Sequence, residues 1–451
     1  MLRTLECSGF KSFDGFKIDF KPGLNVIVGP NGSGKTNIIL FLQFLGSLRR
    51  MPLIEAIGQV GGAGTAFRRQ KYHVAEDIRF KIIGGGVYFD YYAEKSFLGA
   101  YEYEGTVSFS TSDGSLVFKH QRLTGFIDRD LKGDGLFDKT RRPNFDIETR
   151  LNVDGNVDTV IHALDKSDLR YHKRQSEDEA RFQISDTSRH LANNFVLYSY
   201  LDRIVQNADF PSQDLAGSTS YNILPSKVRE PEDIASPATV QPDGSGFAAT
   251  LYALQTDIDQ VDHRYKPLFY NKRSFRNASS IRKQIISSGR LINDAISNIN
   301  VKPDAFESKL RILVDLDYNG VVTRLPFSFV SDGTAKWYAL VTAVITNRRL
   351  FAIEEPENFL HPNMQAEIVN LVRNQYSDRF DIEDNDIDRF AIVTTHSETI
   401  LNHCRPDEII VVSMDQGYTV ASRASNSEDL DAEIRRTGFG LGYYYIAGAI
   451  E

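Results

Sequence analysis

Gly29-Pro30-Asn31-Gly32-Ser33-Gly34-Lys35-Thr36 fits the spacing G-x-x-x-x-G-K-[ST]. Residues of these types in this order bind phosphate. The glycines let backbone N–H groups close around a β-phosphate, and the N-terminus of the following helix adds the positive end of its dipole. Lys35 supplies a point charge for the β- and γ-phosphates, and Thr36 offers a hydroxyl to Mg²⁺. Far downstream, Leu350-Phe351-Ala352-Ile353 runs into Glu354-Glu355. In a nucleotide-binding sheet, the strand end beside the phosphate loop delivers a carboxylate to the Mg²⁺ shell. An adjacent acid can then orient or deprotonate the attacking water. Glu354 is thus assigned to the metal and Glu355 to the water.

Two more segments fit the same chemistry. Phe390-Ala391-Ile392-Val393-Thr394 leads into Thr395-His396-Ser397, and a histidine at that sheet edge can hydrogen-bond the γ-phosphate and the water. Ser331-Asp332-Gly333-Thr334 precedes a helix. Ser331 or Asp332 can cap that helix, and Ser331, Gly333 and the helix N-terminus also make a second anion site. Singly, the acid pair reads as a solvated strand end, the histidine as structural and the serine as a cap. Standing in series behind a phosphate loop, they read as one site.

The elements that must position these residues follow from the pattern. Leu24–Val28 is an apolar strand and Ile38–Leu45 a helical run, the strand–loop–helix context that a phosphate loop needs. Residues 81–126 carry short alternating stretches such as Thr106–Ser110, expected to be antiparallel strands, with Ser112-Asp113-Gly114 as a turn. The segment 186–300 reads mainly as helix, with a loop or hinge at 215–246. Its apolar stretches, Phe195–Tyr198 and Phe247–Leu254, must pack either on the head or on a docked effector. On the docking view, deleting residues 215–241 spares the motif strands. Arg311–Asp317 and Val321–Leu325 flank Asn319-Gly320, a strong hairpin signal. The last third alternates helix and strand, which predicts parallel α/β layering, with an acidic loop at 378–388.

Composition bounds the function. The chain has 451 residues with 52 basic and 60 acidic side chains, a net charge of −8. That argues against a protein coated in basic charge for nucleic acid. Two short basic clusters, 68–71 and 172–174, allow at most a local polyanion contact. Two cysteines, Cys7 and Cys404, exclude a disulfide scaffold and a CxxC metal site. No apolar run approaches the roughly 18 residues of a membrane helix, and Met1–Glu6 does not open a signal peptide. A cytoplasmic protein with no membrane partner is expected.

Together these motifs resemble the SMC/RecF branch of ABC-type ATPases. Gly9-Phe10-Lys11-Ser12-Phe13 followed by Gly29 to Asn37 looks like that branch's opening. Ser331–Thr334 is similar to its variant signature motif. Phe351–Glu355 and Pro356–Pro362 resemble its Walker B and D-loop, and Thr394–Ser397 its switch histidine. The match is nearest to the compact AAA_21/AAA_15 group, related to the OLD ATPase domain. Here Glu354 stands for the commoner Asp, and His361 stands where many members carry a D-loop Asp.

The resemblance implies an α/β ABC-type head, a P-loop NTPase with a mixed sheet, an antiparallel β subdomain and a helical insert. The expected units are an N-terminal lobe over 1–185, the insert over 186–300 and a C-terminal lobe over 301–451. It further implies ATP with Mg²⁺, sandwiched in a head-to-tail homodimer where Ser331 and Gly333 of one subunit cap the γ-phosphate held by the other. The implied function is a switch ATPase controlling a toxin or nuclease in bacterial anti-phage defence, as the ATPase components of PARIS and Septu do. A RecF-like DNA repair ATPase is the alternative.

Overall fold

The chain is seen in a computed structural model that describes residues 1–70, 73–90, 95–110, 112–129, 141–170, 176–215, 218–255, 278–304, 306–347, 350–377, 389–424 and 427–450. The basic cluster 172–174, the acidic loop 378–388 and Lys71 lie outside them.

The strand Gly23–Val28 is buried from Leu24 through Val28, because it runs inside a sheet covered on both faces. Side chains alternate across that sheet. Leu24, Val26 and Val28 enter one core, while Ile27 enters another with the helix Lys35–Ser47. The sheet has six strands in the order Thr219–Tyr221, Phe351–Glu354, Phe390–Thr394, Gly23–Val28, Ile409–Asp415, Tyr418–Arg423. The first five run parallel, and the last pairs antiparallel. The Glu354 strand does not lie beside the phosphate-loop strand, because Phe390–Thr394 separates them. All three are short, mostly apolar interior strands, so their composition carries no order.

Below the helix Lys35–Ser47 lies a seven-stranded antiparallel sheet that begins at Phe16–Asp19 and Leu2–Ser8 and ends at Val157–Leu164. Phe41 of that helix sits among Phe10, Phe44 and Phe80, with ring centroids 4.9, 5.7 and 5.8 Å away. This aromatic contact ties the phosphate-loop helix to the antiparallel layer. On the other face, the helix Asp332–Thr346 is buried at every position from Thr334 to Val344, which explains why apolar residues occupy most of its circumference. The strands Lys309–Tyr318 and Val321–Pro326 form the expected hairpin. Asn319 and Gly320 take φ of 56° and 89°, the two left-handed residues of a type I′ turn.

The segment 186–300 differs from its reading in one way, and one of its open alternatives is seen. Its expected loop contains the strand Thr219–Tyr221, which forms an edge of the nucleotide sheet against Phe351–Ile353. Three residues are too few to show a period. Its apolar stretches are also already occupied. Val196, Leu197 and Tyr198 are buried in the core around Lys35–Ser47, and Phe247, Leu251 and Leu254 share a core with Val26 and Val28. These stretches pack on the head. Among the described residues, no helix is long and apolar enough to cross a membrane.

Candidate active site

The phosphate loop is shaped by glycine and braced from the far end of the chain. Gly34 has φ 102°, and a Cβ there would lie 2.1 Å from Thr419 Oγ1; only glycine fits that position. Thr419, wholly buried, donates to the Ser33 carbonyl at 2.9 Å. Its Oγ1 lies 2.6 Å from Ser12 Oγ, which in turn accepts from Asn37 Nδ2 at 2.8 Å. Asn37 therefore supports the loop from behind. The crest Pro30–Gly32 and Thr36 are exposed. Lys35 Nζ donates to the carbonyls of Gly29 at 2.8 Å and Pro30 at 3.0 Å. Burial lowers its pKa, and the charges of Glu355 and Glu357 work against that shift.

The acid end is level with the loop. Sheet register pairs Glu354 with Thr394, and Thr394 with Ile27. Glu354 Oε1 accepts a hydrogen bond from Ser220 Oγ on the neighbouring edge strand. Glu355 is exposed and turns the chain out of the sheet with φ 41°, a left-handed conformation that costs a non-glycine residue energy. Its backbone N–H donates to the Thr394 carbonyl at 3.0 Å, and its Oε2 accepts from Asn358 Nδ2 at 3.3 Å. His396 is exposed. It is anchored through its backbone N–H, which donates to Glu357 Oε1 at 2.8 Å. The same oxygen accepts from Thr395 Oγ1 at 3.0 Å.

Ser331 caps its helix as expected, its Oγ accepting from the Thr334 N–H at 3.2 Å. Gly333 lies against the loop after Glu355, since a Cβ there would approach the Phe359 carbonyl to 2.7 Å. Arg229 holds the segment before the helix, with an ion pair to Asp332 at 2.6 Å and a hydrogen bond to the Val330 carbonyl. Phe329 and Phe359 are 76% and 60% exposed beside Ser331 and Gly333.

The structure thus brings the loop, Glu354, Glu355 and His396 to one edge of one sheet. It sets Ser331 and Gly333 on the rim formed by the Glu355–Leu360 loop. Sequence reasoning read Ser12 only as part of the opening motif and missed Ser220, Gln365 and Thr419. Gln365 Nε2 donates to the Leu360 carbonyl at 2.9 Å while its Oε1 accepts from Ser397 Oγ at 2.6 Å, tying the acid loop to the histidine turn. Each of these acts across a long gap in sequence, so no local spacing could reveal it.

The site suits a magnesium nucleotide. Its loop has a buried hydroxyl, Ser33 Oγ, with no partner, and its carboxylates stand with a lysine at a strand-end turn. Among the described residues, no cluster of three His, Cys, Asp or Glu side chains could hold a metal by itself. A cation here would need phosphate oxygens to complete its shell.

This strand order, with an antiparallel layer packed under the phosphate-loop helix, is the fold of an ABC-type ATPase head. The chain belongs to the AAA_21 family, described as "AAA domain, putative AbiEii toxin, Type IV TA system", which matches residues 24–402. It is 69% identical over 45 residues to the chromosome partition protein Smc of Lactiplantibacillus plantarum, a stretch covering 10% of this chain and 4% of that protein. It is 44% identical over 48 residues to the DNA replication and repair protein RecF of Symbiobacterium thermophilum, covering 11% and 13%. The matched stretches are therefore a small part of those relatives. A solved Smc head bound to the C-winged helix domain of ScpA aligns over 93% of this chain and 97% of its own, with a TM-score of 0.49 and 13% identity. By family the chain carries an AAA domain, and its likeness to Smc and RecF is confined to those short stretches.

Proposed function

We propose that this protein is an ATP-driven switch: two heads close head to tail around ATP, hydrolysis reopens them, and the cycle controls a toxin or nuclease effector in bacterial anti-phage defence. The observation that carries the ATPase reading is the level alignment of the phosphate loop, Glu354 and the strand leading to His396, fixed by register. The rim supports dimerisation. Ser331 and Gly333 sit beside two exposed phenylalanines, Phe329 and Phe359, a surface fit to be covered by a second head.

In this reading Lys35 and the loop N–H groups hold the phosphates. Thr36 and Glu354 would hold Mg²⁺, which would supply positive charge to neutralise the phosphates. Glu355 takes a proton from water as its oxygen bonds the γ-phosphorus and the bond to the bridging oxygen breaks. His396 steadies the γ-phosphate and the water. Ser331 and Gly333 of the opposite head cap that phosphate. The toxin–antitoxin wording of the family supports the defence role.

The test has two stages. The wild-type chain is expected to release phosphate from ATP with Mg²⁺, and Lys35→Ala to abolish nucleotide binding or turnover. Normal hydrolysis by a folded Lys35→Ala protein sinks the site assignment. Cells carrying the gene with its neighbours are then challenged with phage. Protection that vanishes with Lys35→Ala supports the defence role. Tight binding of the purified protein to gapped DNA without any protection supports the RecF-like alternative instead.

A further inference from the structure

The turn that carries His396 is held from two sides. Towards the acid loop, the His396 N–H donates to Glu357 Oε1 at 2.8 Å and Ser397 Oγ to Gln365 Oε1 at 2.6 Å. Ser397 then caps the helix Glu398–Asn402, its Oγ accepting from the Ile400 N–H at 3.3 Å. That helix has five residues, too few to persist without packing against something else. What covers its other side is the run Gly438-Phe439-Gly440-Leu441-Gly442, which opens the short helix Leu441–Ile446. Ile400 and Leu401 are buried in one core with Leu441 and Tyr444.

Two glycines allow this close approach. Gly440 has φ −76°, which any residue can adopt, so space and not backbone conformation requires glycine there. A Cβ at Gly440 would lie 2.1 Å from Asn402 Oδ1. A Cβ at Gly442 would lie 3.0 Å from the Cα and the Cβ of Glu398, two residues after His396. Gly440 is also the N-cap of its helix and has no side chain with which to cap it. Asn402 does so from the other helix, its Oδ1 accepting from the Gly442 N–H at 2.8 Å. One side chain thus joins the far end of the histidine helix to the first turn of the next. Gly442 stands inside that first turn, where alanine would give a more stable helix, so the sequence gives up local stability for contact with Glu398 and Asn402.

We propose that Asn402 is a positioning residue for hydrolysis: through its cap on Gly442, in the space left by Gly440, it seats the segment 438–446 against the helix behind His396 and fixes where that histidine stands at the sheet edge. This rests on the ATPase reading. A misplacement of about 1 Å in such a group costs up to about a hundredfold in rate. A contact that served packing alone would change stability and leave the turnover of the folded protein as it was.

The experiment is steady-state ATP hydrolysis by the full chain and its variants, with binding of a fluorescent ATP analogue, thermal melting and amide exchange over residues 395–402 measured alongside. Gly440→Ala is expected to lower the kcat of the folded protein about tenfold, with KM and analogue affinity within about threefold, and to speed exchange over 395–402. Asn402→Ala does the same by removing the cap. Gly440→Ala adds nothing to Asn402→Ala in the double variant, because the three atoms nearest the new methyl group, Oδ1, Cγ and Nδ2, all belong to the deleted side chain. If Gly440→Ala does not fold, Gly442→Ala, which meets Glu398 at 3.0 Å, takes its place with the same single-variant expectation. A wild-type kcat in the folded Asn402→Ala protein overturns the inference, whether or not its melting temperature falls. So do losses that multiply in the double variant, a parallel fall in nucleotide affinity, or unchanged exchange over 395–402. A wild-type chain without turnover overturns the ATPase reading instead, and the exchange data then still decide whether Asn402 holds the histidine turn.

Discussion

Ser220 and Glu354 lie 134 residues apart in sequence, yet the serine hydroxyl donates directly to the glutamate Oε1. The bond exists because the three-residue strand Thr219–Tyr221 pairs in parallel with Phe351–Ile353. A carboxylate oriented by a neighbouring donor is a better metal ligand than a free one. Ser220→Ala is therefore expected to raise the Mg²⁺ concentration for half-maximal hydrolysis about tenfold. A Mg²⁺ titration of ATPase activity checks this, and an unchanged midpoint removes Glu354 from the metal. Deletion of residues 215–241 removes the same bond and is expected to abolish hydrolysis.

Glu355→Gln should still bind ATP, because Glu354 and the phosphate loop remain. Turnover should fall at least about a hundredfold with the loss of the base. The ATP-bound dimer should then accumulate. Light scattering with ATP and Mg²⁺ reads it as a doubling of mass, and a variant with wild-type turnover places the base elsewhere.

Ser331→Arg puts a bulky cation on the rim without touching the phosphate loop. ATP binding is expected to persist, while turnover falls to the level of Lys35→Ala. Equilibrium binding and phosphate release measured on the same preparation separate the two effects. Normal hydrolysis would show that Ser331 does not cap a nucleotide across a dimer.

A fourth expectation concerns the antiparallel sheet. Burial opposes ionisation of Glu148, yet hydrogen bonds from His162, Arg150 and His120 hold its carboxyl down to about 2. The three donors lie 2.8, 2.6 and 2.9 Å from its oxygens. A carboxyl whose folded pKa is depressed contributes stability above its unfolded value of about 4.3 and loses it as pH falls toward 2. The contribution is on the order of 2 kcal/mol. Urea midpoints of wild type should thus fall as pH drops from about 5 to about 2, and Glu148→Gln should show a shallower fall over that window. Parallel curves would mean that Glu148 keeps its carboxylate pairing without contributing to stability.

What the sequence by itself determined is local. The phosphate loop was legible because every group it uses falls within one strand end, one turn and the first turn of one helix, so spacing alone encodes it. The Asn319-Gly320 hairpin was legible for the same reason, since two adjacent residues must both take positive φ. The strand ends at Glu354 and Thr394 stood out as apolar runs that stop at polar groups. Only the tertiary structure decided which of those strands lies between the others, and so how Glu354, His396 and the loop face one another. It alone brought Thr419 to the Ser33 carbonyl across 386 residues and Glu357 to the His396 N–H. Such partners are chosen by which faces the two cores bury together, and a hydrogen bond between distant residues leaves no period or spacing in the chain.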